Sequence, residues 1–120
     1  MPLRGLYPIL DSGVLPLEAM GSTARLLADC GVAQMQLRMK SDSDAERLRV
    51  QDVVASELEG TGALLVINDR ADLARMLHRE APPGMRVGLH LGQGDMEPHR
   101  ARDIVGEHVH LSWSTHTLEQ

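Results

Sequence analysis

Aromatic residues and cysteine are nearly absent from this chain. Its 120 residues include no Phe, one Trp, one Tyr and one Cys. The single cysteine, Cys30, excludes an internal disulfide and a zinc site built from several thiolates. We expect Cys30 to be a small buried hydrophobic residue at a helix end. The core must therefore be built from Leu, Val, Ile, Ala and Met.

Long apolar runs are missing as well. No run approaches the ~20 residues that cross a bilayer, and the first residues lack the apolar core of a secretion signal. These features predict a cytoplasmic protein with no membrane partner. The length fits one domain over residues 1–120, and an apolar content of 42% is typical of a globular chain.

Basic charge is also scarce. Lys and Arg total 12 against 17 Asp and Glu, which gives a formal net charge of −5. Non-specific nucleic-acid binding needs a basic surface, so no nucleic-acid partner is expected. An acidic chain can still hold an anionic small molecule where its few cations gather at one site.

Short apolar runs alternate with amphipathic stretches along the whole chain, which predicts an α/β fold with parallel strands. The predicted strands are Gly5–Leu10, Val32–Leu37, Ala63–Ile67, Val87–Leu91 and Val109–Trp113. The predicted helices are Leu17–Ala28, Asp44–Leu58, Ala71–His78 and Pro98–Val105. Ser43 and Glu46 have the spacing of a capping box. In the second helix, Leu48, Val53 and Leu58 are among the residues expected to face the sheet.

This alternation fits either an open doubly wound sheet or part of an eight-stranded barrel. The glycine-rich turn of a dinucleotide-binding fold is missing after the first strand, where the chain reads Leu10-Asp11-Ser12-Gly13. A receiver-type regulatory domain is disfavoured, because no lysine follows Lys40. The irregular segment Arg79–Met85 precedes a strand and is interpreted as structural, on the face opposite the strand ends.

Four predicted strands end in polar residues. Because the carboxyl ends of parallel strands meet on one face, these residues form the candidate site. The segments are Gln36-Leu37-Arg38-Met39-Lys40, Asn68-Asp69-Arg70, His90-Leu91-Gly92-Gln93-Gly94-Asp95 and Ser112-Trp113-Ser114-Thr115-His116.

Alternation along the second strand places Gln36, Arg38 and Lys40 on one side of the sheet. Arginine offers a planar fork to phosphate oxygens, and lysine offers a point charge. The alternative is a strand end frayed into solvent, and the pattern leaves both open.

Asp69 and Asp95 are candidate magnesium ligands at neighbouring strand ends. Each is also well placed as a helix N-cap, and one residue can serve both purposes. Ser112, Ser114 and Thr115 either donate to phosphate or begin the next helix. His90, His108 and His110 are interpreted as structural, because no third zinc ligand has a convincing spacing.

Taken together, these motifs resemble the thiamine-phosphate synthase family, in order and approximate spacing, over essentially the whole chain. The less similar sister group is the thiazole tautomerases, which lack the Arg/Lys pattern and the acidic residue after the fourth strand. The segments that carry the resemblance are Leu6-Tyr7-Pro8-Ile9-Leu10-Asp11, Gln36-Leu37-Arg38-Met39-Lys40, Ile67-Asn68-Asp69-Arg70-Ala71-Asp72-Leu73-Ala74, His90-Leu91-Gly92-Gln93-Gly94-Asp95 and Ser114-Thr115-His116.

The resemblance implies a TIM barrel, of which this chain has about five of eight strands. It also implies a Mg²⁺-dependent transferase that joins 4-amino-2-methyl-5-hydroxymethylpyrimidine diphosphate to a thiazole phosphate and releases pyrophosphate. In the implied mechanism pyrophosphate leaves first, and the thiazole nitrogen attacks the resulting pyrimidine methyl cation.

The family's site residues map onto this sequence at the polar strand ends. Arg38 and Lys40 match the catalytic cations. Asp69 and Asp95 match the magnesium ligands. The substrate-binding positions are matched by Gln36, Arg38, Lys40, Asn68 and Ser114.

The chain departs from the family at three positions near the site and in length. Met39 stands where an acidic residue is usual. Ser112-Trp113 stand where Gly-Val is usual, with the Val near the barrel interior. The three further barrel strands, with the thiazole-phosphate residues, have no counterpart here. We therefore expect a homo-oligomer or a piece of a longer protein. The functional alternative is a non-catalytic module that binds magnesium diphosphate.

Overall fold

The computed structural model describes residues 5–92 and 96–113. Within them, strands and helices alternate as predicted. The strands are β1 (Ile9–Asp11), β2 (Gln34–Arg38), β3 (Leu64–Asn68), β4 (Arg86–Leu91) and β5 (His110–Trp113). The helices are α1 (Met20–Asp29, preceded by a 3₁₀ turn at Leu17–Ala19), α2 (Asp44–Leu58), α3 (Ala71–Glu80) and α4 (Pro98–Val105). None of the helices in these two ranges has the length and apolarity to cross a membrane.

Strand order separates the two architectures that the sequence left open. All four strand pairs are parallel, and the order across the sheet is β1-β2-β3-β4-β5. A doubly wound sheet reverses its order at a switch point, whereas a barrel adds each strand beside the last. The described residues therefore form a five-stranded partial barrel of (β/α) repeats.

Local capping signals explain why two helices match their predicted bounds. Ser43 accepts from the backbone N–H of Glu46 and Glu46 accepts from that of Ser43, so the predicted capping box begins α2. Pro98 occupies the first turn of α4, where its missing N–H costs nothing. Gly106 follows the last residue of α4, as predicted.

The main core lies between the helices and one face of the sheet. Aliphatic and methionine side chains fill it, as the lack of aromatic residues required. Two expectations for this region were wrong. Val53 is 47% exposed rather than packed on the sheet, and Cys30 follows α1 as expected but is exposed. The largest side chains in the core include Met20, Met35, Leu58, Leu65 and Leu89.

The segment before β4 is structural, as predicted. Gly60 donates its backbone N–H to Pro83 over 2.9 Å, and Gly62 donates to Gly84 over 2.6 Å. These bonds join the turns that precede β3 and β4, so they lie at the amino ends of the strands. The candidate site is at the opposite ends.

The other face of the sheet corresponds to the barrel interior. One row of register partners crosses all five strands on this face. It consists of Ile9, Gln36, Val66, Gly88 and His110. The row two residues further along the strands, toward their carboxyl ends, holds the candidate site.

Candidate functional site

A second row of inner-face residues is polar on every strand. Asp11 on β1 pairs in register with Arg38 on β2, and the pairing of β2 with β3 places Arg38 next to Asn68. Asn68 pairs with His90 on β4, which pairs with Ser112 on β5. The predicted convergence of polar strand ends is thus present on all five strands, with β1 included.

Arg38 is held by a carboxylate that the sequence did not assign to the site. Its Nη1 donates to Asp11 Oδ2 over 2.9 Å. A backbone hydrogen bond from Gly13, together with Arg38, lowers the pKa of Asp11. One feature of the sequence could have assigned Asp11 to the site. Asp11 stands at the end of the first apolar run, and β1 ends at the same edge of the sheet as the other strands.

Gln36 links two side chains on the inner face. It is 4% exposed, and its Nε2 donates to the Tyr7 hydroxyl over 3.1 Å. Its Oε1 accepts from Asn68 Nδ2 over 2.7 Å. Burial raises the pKa of the Tyr7 hydroxyl. Gln36 and Asn68, two of the expected substrate contacts, therefore form one oriented amide pair, and Tyr7 fixes its direction.

Lys40 and Asp69 form an ion pair across the ends of β2 and β3. Their side chains are 46% and 20% exposed, so the pair faces solvent at the mouth of the partial barrel. Lys40, two residues beyond the end of β2, thus pairs with a carboxylate although its side chain is half exposed. A cation and a carboxylate that both match family site positions are in direct contact.

The backbone at Asp69 is unusual. Its φ is +69°, the one positive value at a non-glycine position among the described residues. Arg70 donates its N–H to the Asn68 carbonyl over 2.9 Å, which closes a γ-turn on Asp69. The N-cap position of α3 belongs to Arg70, so the expectation that Asp69 caps this helix was wrong. Such strained turns occur preferentially at functional sites.

His90 and Ser112 complete the polar row. His90 Nδ1 lies 2.7 Å from Ser112 Oγ. This contact links β4 to β5 on the inner face, directly beside Asn68 in the register. His90 was interpreted as structural, and its position adds it to the candidate site.

Two of the residues that depart from the family pattern, Met39 and Trp113, avoid the inner face, whereas the third, Ser112, lies on it. Met39 is 7% exposed and lines a small cavity against Leu37 and Ile67 on the helix side. Trp113 pairs in register with the core residue Leu91 and is 52% exposed. The expectation that Trp113 stands near the barrel interior was wrong, because alternation gives that position to Ser112.

The remaining predicted residues fall outside the described ranges. Asp95 and Ser114 are among them, so their expected roles in binding metal and substrate stay predictions. Within residues 5–92 and 96–113, no three His, Cys, Asp or Glu side chains gather as a metal site. Asp69 is the predicted metal ligand that the structure describes.

Comparison with known proteins gives a consistent result. A family model described as thiamine monophosphate synthase matches residues 6–120. A thiamine-phosphate synthase of Acidothermus cellulolyticus is 43% identical over 90 residues, which are 75% of this chain and 39% of that protein. One from Vibrio parahaemolyticus is 34% identical over 115 residues, which are 96% of this chain and 52% of that protein.

A solved structure shows a similar fold. A thiamine phosphate pyrophosphorylase from Pyrococcus furiosus superposes with a TM-score of 0.71 at 24% identity. The match covers 94% of this chain and 50% of that structure. This chain thus spans about half, or less, of the length of the relatives it matches.

Proposed function

The chain belongs to the thiamine monophosphate synthase family, and from this we propose that it carries the diphosphate side of that family's active site. The proposed reaction joins the pyrimidine methyl carbon to the thiazole nitrogen. The carbon–oxygen bond to the diphosphate breaks, and pyrophosphate leaves with the bonding electron pair. The nitrogen lone pair then forms the new carbon–nitrogen bond. Both substrates are small phosphorylated molecules, which is the reason to propose the cytoplasm as the compartment.

The observation that supports the proposal best is the arrangement of cations at the strand ends. Arg38 and Lys40 lie at the mouth of the partial barrel, each oriented by a carboxylate, Asp11 or Asp69. A leaving diphosphate concentrates negative charge. Cations held close to this position before the reaction can stabilise that charge with little rearrangement. The amide pair of Gln36 and Asn68 lies next to them, where it could orient the pyrimidine.

Magnesium fits the donor chemistry of this edge. Asp69 offers a carboxylate, a hard oxygen ligand of the kind Mg²⁺ prefers. In the proposal Asp69 and Asp95 would hold the ion beside the diphosphate. When bound, the ion would neutralise part of the diphosphate charge. Lys40 would then exchange its contact with Asp69 for one with the diphosphate.

A homo-oligomer is the proposed assembly. Exposed apolar side chains lie at both ends of the strand order: Leu6 and Tyr7 before β1, Ile9 within β1, and Trp113 on β5. Among the described residues, β1 and β5 each have one strand neighbour, and edge strands with apolar side chains are prone to pair with further strands. Sedimentation at low concentration tests the assembly, and a stable compact monomer would contradict it.

The function is tested by incubating the chain with both substrates and Mg²⁺. Release of pyrophosphate and formation of thiamine phosphate, both lost in Asp69→Ala, would support the transferase. Magnesium-dependent binding of the pyrimidine diphosphate without turnover would instead identify a binding module. The absence of both binding and turnover would overturn the proposal.

A further inference from the structure

Arg47 makes an unusual set of contacts behind the candidate site. It lies in the first turns of α2, and its side chain is 19% exposed. Its Nε donates to the carbonyl of Met39 over 2.8 Å, and its Nη2 donates to the carbonyl of Lys40 over 3.0 Å. One planar guanidinium thus donates to two consecutive backbone carbonyls. The second carbonyl is that of Lys40, whose side chain contacts Asp69.

The same guanidinium is part of a longer ionic chain. Its Nη1 donates to Asp44 Oδ1 over 2.9 Å, and that oxygen also accepts from Arg70 Nη1 over 2.8 Å. Arg70 immediately follows Asp69 along the sequence. Hydrogen bonds from Arg70 and Arg47 lower the pKa of Asp44, so this carboxylate stays charged in the neutral range. The chain Arg47–Asp44–Arg70 joins the segment that carries Lys40 to the turn that carries Asp69.

We propose that Arg47 is a positioning residue that acts through Lys40. It fixes the backbone at residues 39–40 and, through Asp44 and Arg70, sets the spacing between the Lys40 ammonium and the Asp69 carboxylate. This inference rests on the proposed function, because it assumes that the pair takes up magnesium diphosphate.

The physical basis is preorganisation. A lysine just after a strand end loses both backbone and side-chain freedom when it binds an anion. Because Arg47 holds the Met39 and Lys40 carbonyls, which lie on either side of the Lys40 Cα, only the side-chain freedom of Lys40 remains to be lost on binding. Removing these two hydrogen bonds should therefore weaken ligand binding even though Arg47 itself need not touch the ligand.

The test is a calorimetric titration of the full chain with inorganic pyrophosphate and Mg²⁺. We expect Arg47→Met to weaken binding about tenfold, a typical effect of residues that support a ligand. In a Lys40→Met background, Arg47→Met should change binding by no more than about twofold, because its effect passes through Lys40. If Arg47→Met lowers the affinity for pyrophosphate equally in the unaltered chain and in Lys40→Met, or lowers it in neither, the inference is overturned.

Two further variants keep the result interpretable. Arg25→Met removes an arginine that likewise donates to a carboxylate, Asp29, and to a backbone carbonyl, that of Glu57. It should leave pyrophosphate binding unchanged, and a loss equal to that of Arg47→Met would contradict the inference. If Arg47→Met does not fold, Arg47→Lys can replace it, because lysine keeps the charge but lacks the planar guanidinium. Arg47→Lys should lower the affinity for pyrophosphate less, and this effect should also disappear in the Lys40→Met background. Failure of the unaltered chain to bind pyrophosphate would instead count against the proposed function itself.

Discussion

Arg38 Nη1 and Asp11 Oδ2 lie 2.9 Å apart and join the last residues of β2 and β1. The Asp11 carboxylate also accepts from the backbone N–H of Gly13 over 2.9 Å. Asp11 therefore receives donors from two directions and holds the guanidinium at the mouth of the partial barrel. The edge strand β1 thereby contributes to the site although it supplies none of the residues predicted to bind ligand.

The Asp11–Arg38 contact predicts a defined acid sensitivity. Because the pKa of Asp11 is lowered below 3.8 in the folded chain, its contribution to stability is present above that value. The contribution is lost as the pH falls through the lower, folded-state pKa. Asp11→Asn should therefore show a smaller fall in melting temperature than the unaltered chain between about pH 5 and pH 2. Identical pH profiles for the two proteins would contradict this.

Tyr7→Phe tests the buried amide pair. The substitution removes the acceptor of Gln36 Nε2 and leaves a polar atom of a 4% exposed side chain without that partner. We expect the free energy of unfolding to fall by about 1–2 kcal/mol in a urea titration. A change below about 0.5 kcal/mol, the usual range for a surface substitution, would show that Tyr7 does not hold Gln36.

Two glycines with the same φ separate backbone strain from steric conflict. Gly62 and Gly84 both have φ of +75°, but a Cβ at Gly84 would meet the Cα of Gly60 at 2.6 Å, whereas one at Gly62 would meet nothing within 4 Å. Gly62→Ala should cost about 1–2 kcal/mol from the left-handed conformation alone. Gly84→Ala should cost about 1–3 kcal/mol more. Chemical denaturation measures both, and equal losses would contradict the close contact between the two turns.

Local signals account for the parts of the fold that the sequence predicted best. The bounds of α2 and α4 match because a capping box and an N-terminal proline mark where these helices begin. Apolar runs located all five strands. Their order was not predictable from local pattern, because a barrel and a doubly wound sheet share the same succession of strands and helices.

The errors arose where tertiary contacts override a local rule. Cys30 is exposed because the end of α1 lies at the surface, although free cysteines are usually buried. Asp69 forms a γ-turn instead of capping α3, because its N–H donates to the His90 carbonyl of the next strand. The pairing of Asp11 with Arg38 depends on the register of β1 and β2, which the chain's local pattern does not specify.

The most direct measurement is a calorimetric titration with the pyrimidine diphosphate, with and without Mg²⁺. Asp69→Asn is the informative variant, because asparagine tolerates a positive φ and removes only the charge. The account predicts magnesium-dependent binding that Asp69→Asn weakens at least about tenfold and Arg25→Met leaves unchanged. If Asp69→Asn binds the pyrimidine diphosphate as tightly as the unaltered chain does, or if binding does not depend on Mg²⁺, a magnesium-diphosphate site at the ends of β2 and β3 is contradicted.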